Sequence, residues 1–412
     1  MKKNNSYLLD LIKSQKDNFS LDQSFYTSKS IFEMDLKTFF FNQWVFVGHI
    51  SRIKNKGDYF LFQIGDESII LIREDENKIN AFYNVCRHRG SHICLEEEGR
   101  VRKFICPYHA WNYDLSGKLL KARMMENNFK PENWSLKKCN SMVFEGLIFI
   151  NLSENASDFE NFINPIKDFI KLHGLGKAKI AARKTYPTKG NWKLALDNFH
   201  ECYHCQPAHP EYCSVHDPEY IISYGAGSNS GPSSDKFDKL LEEWNKKVSD
   251  MGHLTGEYIE KDFNDYSRSA ERTPLRQGKF NETKEGKPIA KLMGKFKEYD
   301  QGYTSVGTSP FNSLLMCNDF ATLFTFIPKT TLTTEVELMW LVHKDAQEGK
   351  DYNVDEMIWM WDVTTKADKK IIENNQKGVL SKEYKPGPLS KMEVGLEKFK
   401  KWYLGQLETS II

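Results

Sequence analysis

Residues 191–210, NWKLALDNFHECYHCQPAHP, concentrate the candidate chemistry of this chain. Asp197, His200, Glu201, His204 and His209 place three of the eleven histidines and two acids within a few turns. At about 100° per residue, a helix through this stretch carries Asp197, His200, Glu201 and His204 on one arc, with Trp192, Ala195, Phe199, Cys202 and Tyr203 opposite. His209 follows His204 by five residues, about 140° round an unbroken helix. Pro207 lies between them, and the break it imposes lets His209 turn back towards His204. Two imidazoles plus a carboxylate from elsewhere make the ligand set of a facial-triad Fe(II) site, with positions open for O2 and substrate. Zinc, or a half-exposed helix whose histidines pair with acids, uses the same residue types.

The 412 residues are 40% apolar, enough for two or three domains with a substantial core. The net charge of +1 is built from interspersed acids and bases, which argues against nucleic acid or an anionic membrane as partner. No apolar run approaches the roughly 20 residues of a membrane span. The N-terminal apolar stretch is too short for a signal sequence, so the expected location is cytoplasmic. Eight cysteines in so long a chain do not form a disulfide framework; in a reducing compartment, paired Cys/His spacings read as metal sites or catalysis.

Residues 7–40 read as helical, and a β pattern begins at Trp44 with WVFVGHI, DYFLFQI, IILI and INAFYNV, continuing to LIFINL at 147–152. Residues 158–173 are mixed helical, and KIAARKTYPT is a strand leading into the 191–210 stretch. The Gly/Ser-rich run 224–235 reads as loop and 236–251 as an amphipathic helix. Residues 264–310 lack strong periodicity, so a lid or pocket wall is expected there. NDFATLFTFIP and TTEVELMWLVH form two antiparallel strands turning at 329–333, and helices over about 354–377 and 391–407 close the chain.

A second metal site is written into the β region. Cys86-x-His88 and, seventeen residues on, Cys106-x-x-His109 each sit on a loop between strands, so two loops clamp one centre from both sides. Two thiolates on one iron and two imidazoles on the other make a Rieske [2Fe–2S] cluster, whereas zinc sites usually pair Cys with Cys and His with His. Gly90 and Pro107 permit tight loops, and His92, Tyr108 and Trp111 are placed to shield the sulfurs. Cys94 reads as a small buried residue; Cys139, Cys213 and Cys317 have no partner by spacing.

These loops, followed by Glu201-x-x-His204-x4-His209, resemble the catalytic α subunit of the Rieske non-haem iron oxygenases over nearly the whole chain. The resemblance implies an α+β fold: a Rieske β-sandwich domain, then a helix-grip catalytic domain of antiparallel sheet with helices. It divides the chain into an N-terminal helical segment, 1–40, packing on the catalytic domain, a Rieske domain, 41–155, and a mononuclear iron domain, 156–412. It further implies a homotrimer in which Glu201, the acid before the first histidine ligand, bridges electrons from a neighbouring subunit's cluster. Ring-hydroxylating members usually carry Asp there; Glu is more like the branch acting on quaternary ammonium compounds. That branch's third iron ligand lies in an Asp, Gln, Gly pattern matched by Asp368, Gln376 and Gly378 in KADKKIIENNQKG. Asp362 is the alternative. It lies about 240° from Asp368 on one helix, so both cannot face the iron.

Further stretches, ECYHC, GKPIAKLMG, WLVHKDAQEGKDY, IIENNQKGV and YKPGPLSKMEVGLEKFKKWY, are similar to the glycine betaine and stachydrine N-demethylating oxygenases. The implied relay starts with NAD(P)H and a separate flavin/iron–sulfur reductase and passes through the cluster and Glu201 to Fe(II) at His204, His209 and Asp368. There O2 as co-substrate is used to hydroxylate an N-methyl group, and the hemiaminal collapses to formaldehyde and the demethylated amine. A trimethylammonium group has no donor to offer, so its recognition uses aromatic faces. Three other readings stand beside this one: an aromatic-ring-hydroxylating dioxygenase of the same architecture, a carnitine or choline monooxygenase, and a non-catalytic redox or scaffold protein. Iron content separates the last, with about three irons per chain for the enzyme and two for a protein that keeps only the cluster.

Overall fold

The computed structural model describes residues 2–223, 232, 234–259 and 268–411 of the chain. It divides into two compact units, one of residues 40–159 and one of residues 1–39 with 160–412.

In the 40–159 unit the apolar runs become the strands of a seven-stranded antiparallel sheet. Its order is Val45–His49, Leu147–Asn151, Lys138–Phe144, Lys78–Tyr83, Glu67–Asp75, Asp58–Ile64 and Glu98–Arg100. A smaller sheet of Phe104–Ile105, Asn112–Tyr113 and Leu119–Lys121 carries the second Cys/His loop. Ile70, Ile72, Phe82, Phe104, Trp111 and Tyr113 form one buried cluster that includes Cys86 and Cys106. The two Cys/His loops are thus rooted in the core of this unit.

The larger unit is organised on a second seven-stranded antiparallel sheet. Its order is Ala178–Thr188, Thr333–His343, Phe320–Thr330, Asn312–Met316, Gly302–Ser309, Ser269–Pro274 and Gly256–Ile259. Two of those strands, Ser269–Pro274 and Gly302–Ser309, occupy the part of the sequence that lacks periodicity, which corrects the reading of 264–310 as irregular chain. Gly302–Ser309 and Asn312–Met316 are buried almost throughout, so no alternation of apolar and polar residues marks them. Polar side chains inside are satisfied instead: Thr304 Oγ1 lies 2.8 Å from His173 Nε2 and accepts from Arg272 Nε at 2.9 Å. The Gly/Ser-rich run 224–235 lies largely outside the described residues.

The helix Val354–Val379 crosses this sheet with Met357, Trp361, Thr364, Asp368, Ile372 and Gln376 on one stripe, at the three- and four-residue spacing of a single face. The helix Val394–Ile411 buries Phe399, Trp402 and Tyr403 against Trp192 and Phe39. Beneath them Lys193 and Asp35 form a fully buried ion pair, and Asp35 also accepts from Trp192 Nε1 at 3.0 Å and from the Tyr403 hydroxyl at 2.7 Å. Removing one partner of such a pair strands a buried charge, a loss of about 3–5 kcal/mol. No described helix is long and apolar enough to cross a membrane.

Candidate metal centres

The first centre is built where the helix Trp192–Phe199 ends. Its start is fixed twice: the Asn191 side chain caps it by accepting from Lys193 N, and Asn191 N donates to Gln376 Oε1 at 2.8 Å. Gly190 lets this end approach the Val354–Val379 helix, because a Cβ there would stand 2.6 Å from Ile372 Cγ2. Gln376 therefore has a structural role, while a Cβ on Gly378 would meet nothing within 4 Å.

The helix stops at Phe199, so the single polar arc expected from the sequence does not form. His200 is the C-cap, with its ring against Phe199 and Phe399, and burial pushes its pKa down to about 4. Asp197 accepts from the Tyr26 hydroxyl at 3.1 Å, and burial raises its pKa to about 7. The break between His204 and His209 is also placed differently. Pro207 sits inside a short helix, Cys205–Ala208, within the first turn, where a missing N–H costs little. The chain turns at His209 (φ −128°, ψ 67°), the residue before Pro210, which is disfavoured from helix and starts the next one, Pro210–Val215. Cys202 and Cys205, to which the sequence reading gave no bond, are joined as a disulfide.

These turns bring His204, His209 and Asp368 together, with one ligand atom of each within 4.8 Å of the others. Asp368 Oδ1 lies 2.8 Å from His209 Nε2 and 3.3 Å from His204 Nε2. Ligands bound to one ion at about 2.1 Å and at right angles stand about 3 Å apart, and the two separations from Asp368 match that spacing. Around it, His204 Nδ1 donates to Glu201 Oε1 at 2.5 Å, which presents Nε2 to the centre, and Glu211 Oε1 lies 3.3 Å from His209 Nδ1. Glu201 also accepts from the Tyr203 backbone N–H. Burial works to lower the His204 pKa, yet the hydrogen bonds with Asp368 and Glu201 carry it up to about 9. Burial likewise works to raise Asp368, and the two imidazoles bring it below the usual carboxylate range. A divalent cation would replace the proton that these groups share.

Asp362 faces elsewhere. It accepts from Lys184 Nζ at 3.1 Å, from the Tyr186 hydroxyl at 2.7 Å and from Lys366 Nζ at 2.7 Å.

A cavity opens beside His204, His209 and Asp368. Its wall includes Phe199, Tyr212, Tyr220, Tyr303 and Trp361, with Ser305, Ser313 and Leu315 from the sheet. The expected pocket wall between 264 and 310 is thus partly made of strands. No Lys or Arg stands among the described residues of the lining. On the other side of His204, a second cavity is lined by Tyr26, Asp197, Glu201, Tyr384 and Glu393.

The second centre consists of two loops with one backbone scheme. Cys86 N donates to Ser91 O and Gly90 N to Cys86 O; Cys106 N donates to Trp111 O and Ala110 N to Cys106 O, all at 2.8–3.0 Å. The fourth residue after each cysteine is left-handed, Gly90 at φ 78° and Ala110 at φ 56°. Cys86 and Cys106 are buried and the imidazoles of His88 and His109 lie at the surface side, with their Nδ1 atoms 3.1 Å apart. Two buried thiols and two outward imidazoles fit a binuclear cluster bound sulfur-side in. Of the three residues expected to shield the sulfurs, Trp111 shares the buried cluster of Cys86 and Cys106. Trp111 stacks on His88 (4.9 Å) and Tyr108 packs on His109 (3.8 Å), while His92 is exposed. Tyr113, which the sequence did not single out, lies against the sulfur: its hydroxyl is 3.3 Å from Cys86 Sγ and accepts from Arg87 N. Cys94 is buried in the same core, and burial pushes its thiol up to about 12.

Comparison with known proteins matches residues 175–409 to the family described as "Ring hydroxylating alpha subunit (catalytic domain)" and residues 43–139 to the "Rieske [2Fe-2S] domain". The glycine betaine monooxygenase oxygenase subunit of Pseudomonas aeruginosa is 34% identical over 404 residues, covering 96% of this chain and 90% of its own. The carnitine monooxygenase oxygenase subunit of Escherichia coli is 38% identical over 205 residues, 48% of this chain and 54% of its own. The crystal structure of the quaternary ammonium Rieske monooxygenase CntA with an inhibitor superposes with a TM-score of 0.72 at 22% identity, covering 96% of this chain and 98% of the other. That likeness is one of fold.

Proposed function

This chain belongs to the ring-hydroxylating α-subunit family and carries its Rieske [2Fe-2S] domain, and from that premise we propose that it N-demethylates a quaternary ammonium compound, glycine betaine or a similar betaine. It is the oxygenase component of a Rieske non-haem iron monooxygenase, which requires a reductase partner. The observation that carries the substrate class is the cavity beside His204, His209 and Asp368, walled by aromatic rings. Rings attract a cation that has no hydrogen-bond donor, by about 0.5–2 kcal/mol each.

In this reading Cys86, His88, Cys106 and His109 hold the cluster and His204, His209 and Asp368 hold the iron. When bound, the cluster stores and delivers electrons and ferrous iron supplies the activation of O2. The protein's part is placement. Glu201 fixes the tautomer of His204 and lines the second cavity, a position suited to carrying electrons from the cluster of a neighbouring subunit in a homotrimer. The tyrosines and Trp361 hold the substrate head with one methyl towards the ligands and keep bulk water from it. O2, two electrons and two protons convert that N–CH3 to N–CH2OH and water, and loss of formaldehyde and a proton leaves the tertiary amine. The electrons come from NAD(P)H through a flavin/iron–sulfur reductase, and the cytoplasm, where that cofactor is supplied, is the fitting location.

A panel of glycine betaine, stachydrine, carnitine, choline and naphthalene, run with a generic reductase, tests the assignment. Formaldehyde from a betaine is the expected result. A cis-diol from naphthalene with no formaldehyde would move the chain to the arene dioxygenases.

A further inference from the structure

Behind the aromatic wall lies a carboxylate that neither metal centre uses. Glu282 is fully buried, on the segment that precedes the strand Gly302–Ser309. One of its oxygens accepts from Trp361 Nε1 at 3.0 Å and the other from His216 Nε2 at 3.0 Å. Trp361 lines the cavity directly. His216 is buried among the three tyrosines of the wall, stacked on Tyr212 (4.0 Å) and Tyr220 (5.4 Å) and edge-on to Tyr303 (5.1 Å). Both groups that satisfy Glu282 therefore belong to, or touch, the rings a cation would meet. No lysine or arginine pairs with Glu282 among the described residues.

Resting on the quaternary ammonium reading above, we propose that Glu282 is a specificity-determining residue: its buried charge, passed through Trp361 and the tyrosine wall, selects a cationic substrate head over a neutral one of the same shape. A carboxylate accepting from an indole N–H pushes electron density onto the ring and deepens the negative potential of its faces, the property that a cation–π contact uses. The charge also acts directly, because inside protein it is screened far less than in water. Its reach is already registered by the wall. The hydroxyls of Tyr212 and Tyr303 are held well above the ordinary tyrosine range, first by burial and next by the field of Glu282. A buried carboxylate is costly to maintain, and a bound cation offsets that cost where a neutral isostere does not.

The test compares glycine betaine with 3,3-dimethylbutanoate, which replaces the ammonium nitrogen by carbon and keeps the shape and the carboxylate. Dissociation constants are measured on the iron-loaded, full-length protein for wild type and Glu282→Gln. The expected result is a wild-type preference for the betaine that falls about tenfold, about 1.4 kcal/mol, in Glu282→Gln, with iron content unchanged and the affinity for 3,3-dimethylbutanoate unmoved. A merely structural role would weaken both ligands together. An unchanged preference in Glu282→Gln overturns the inference while leaving the substrate class standing; no preference in the wild type overturns the substrate class and the inference with it. Should Glu282→Gln not fold, His216→Gln carries the test. It keeps a donor to Glu282 and leaves the charge in place, so the preference should persist, and its loss overturns the proposal.

Discussion

The two metal centres are assembled in opposite ways. In the 40–159 unit each half of the cluster site is a five-residue loop closed by its own backbone, and the two halves repeat one hydrogen-bond scheme. In the larger unit the proposed iron site joins His204 and His209 to an aspartate about 160 residues further along, and its geometry depends on how one helix end seats against another. A local site tolerates changes to the surrounding fold and fails when a ligand is lost. A site made by packing also fails when residues that never touch the metal are changed.

The largest effect that separates them is loss of the cluster. Cys86→Ser or His109→Ala should give colourless protein lacking two of about three irons per chain, with circular dichroism unchanged and the iron at His204 retained. Colour that survives either substitution would break the assignment of the loops. Next, Asp368→Ala should lose the single iron and keep the cluster spectrum, while Asp362→Ala should keep both, since Asp362 is spent on Lys184, Tyr186 and Lys366. The reverse outcome would displace the third ligand by six residues.

A smaller effect probes packing directly. Gly190→Ala forces its Cβ against Ile372, an overpacking of about 1–3 kcal/mol, and should lower both Tm and iron affinity with no change in the cluster spectrum. A mutant with wild-type iron affinity would mean that the site does not depend on this contact. A further effect is one of pH. In the metal-free protein the His204 pKa, carried up to about 9, lies above its ordinary value, so this group stabilises the fold below about pH 6.5 and that contribution is lost as pH rises through 9. Fe(II) must displace the proton, so its affinity should rise about tenfold per pH unit across that window. The increase in Tm on adding Fe(II) should therefore grow from pH 6.5 to 9; a constant increase would show that His204 is already neutral.

The same contrast explains what the sequence discloses. Cys86, His88, Cys106 and His109 are legible because their loops are fixed by neighbours within five residues. His204 and His209 are legible as residue types, but their placement is not: the helix ends at Phe199, and the turn comes before Pro210 rather than at Pro207. The strands Ser269–Pro274, Gly302–Ser309 and Asn312–Met316 escape detection because buried polar residues such as Thr304 erase the period that marks a half-exposed strand. Glu211 and Glu282 carry no local signal, since Thr364, His216 and Trp361 meet them from 153, 66 and 79 residues away.

That the two centres act as one relay through Glu201 is tested most directly by a single turnover. Protein with a pre-reduced cluster and loaded iron is mixed with O2 and glycine betaine, and cluster reoxidation is followed in wild type and in Glu201→Gln. Glu201 bonds to His204 without standing among the three candidate ligands, so the variant should keep both metals. Its cluster should reoxidise about 100-fold more slowly, with formaldehyde falling in step. Reoxidation at the wild-type rate in Glu201→Gln would contradict the relay.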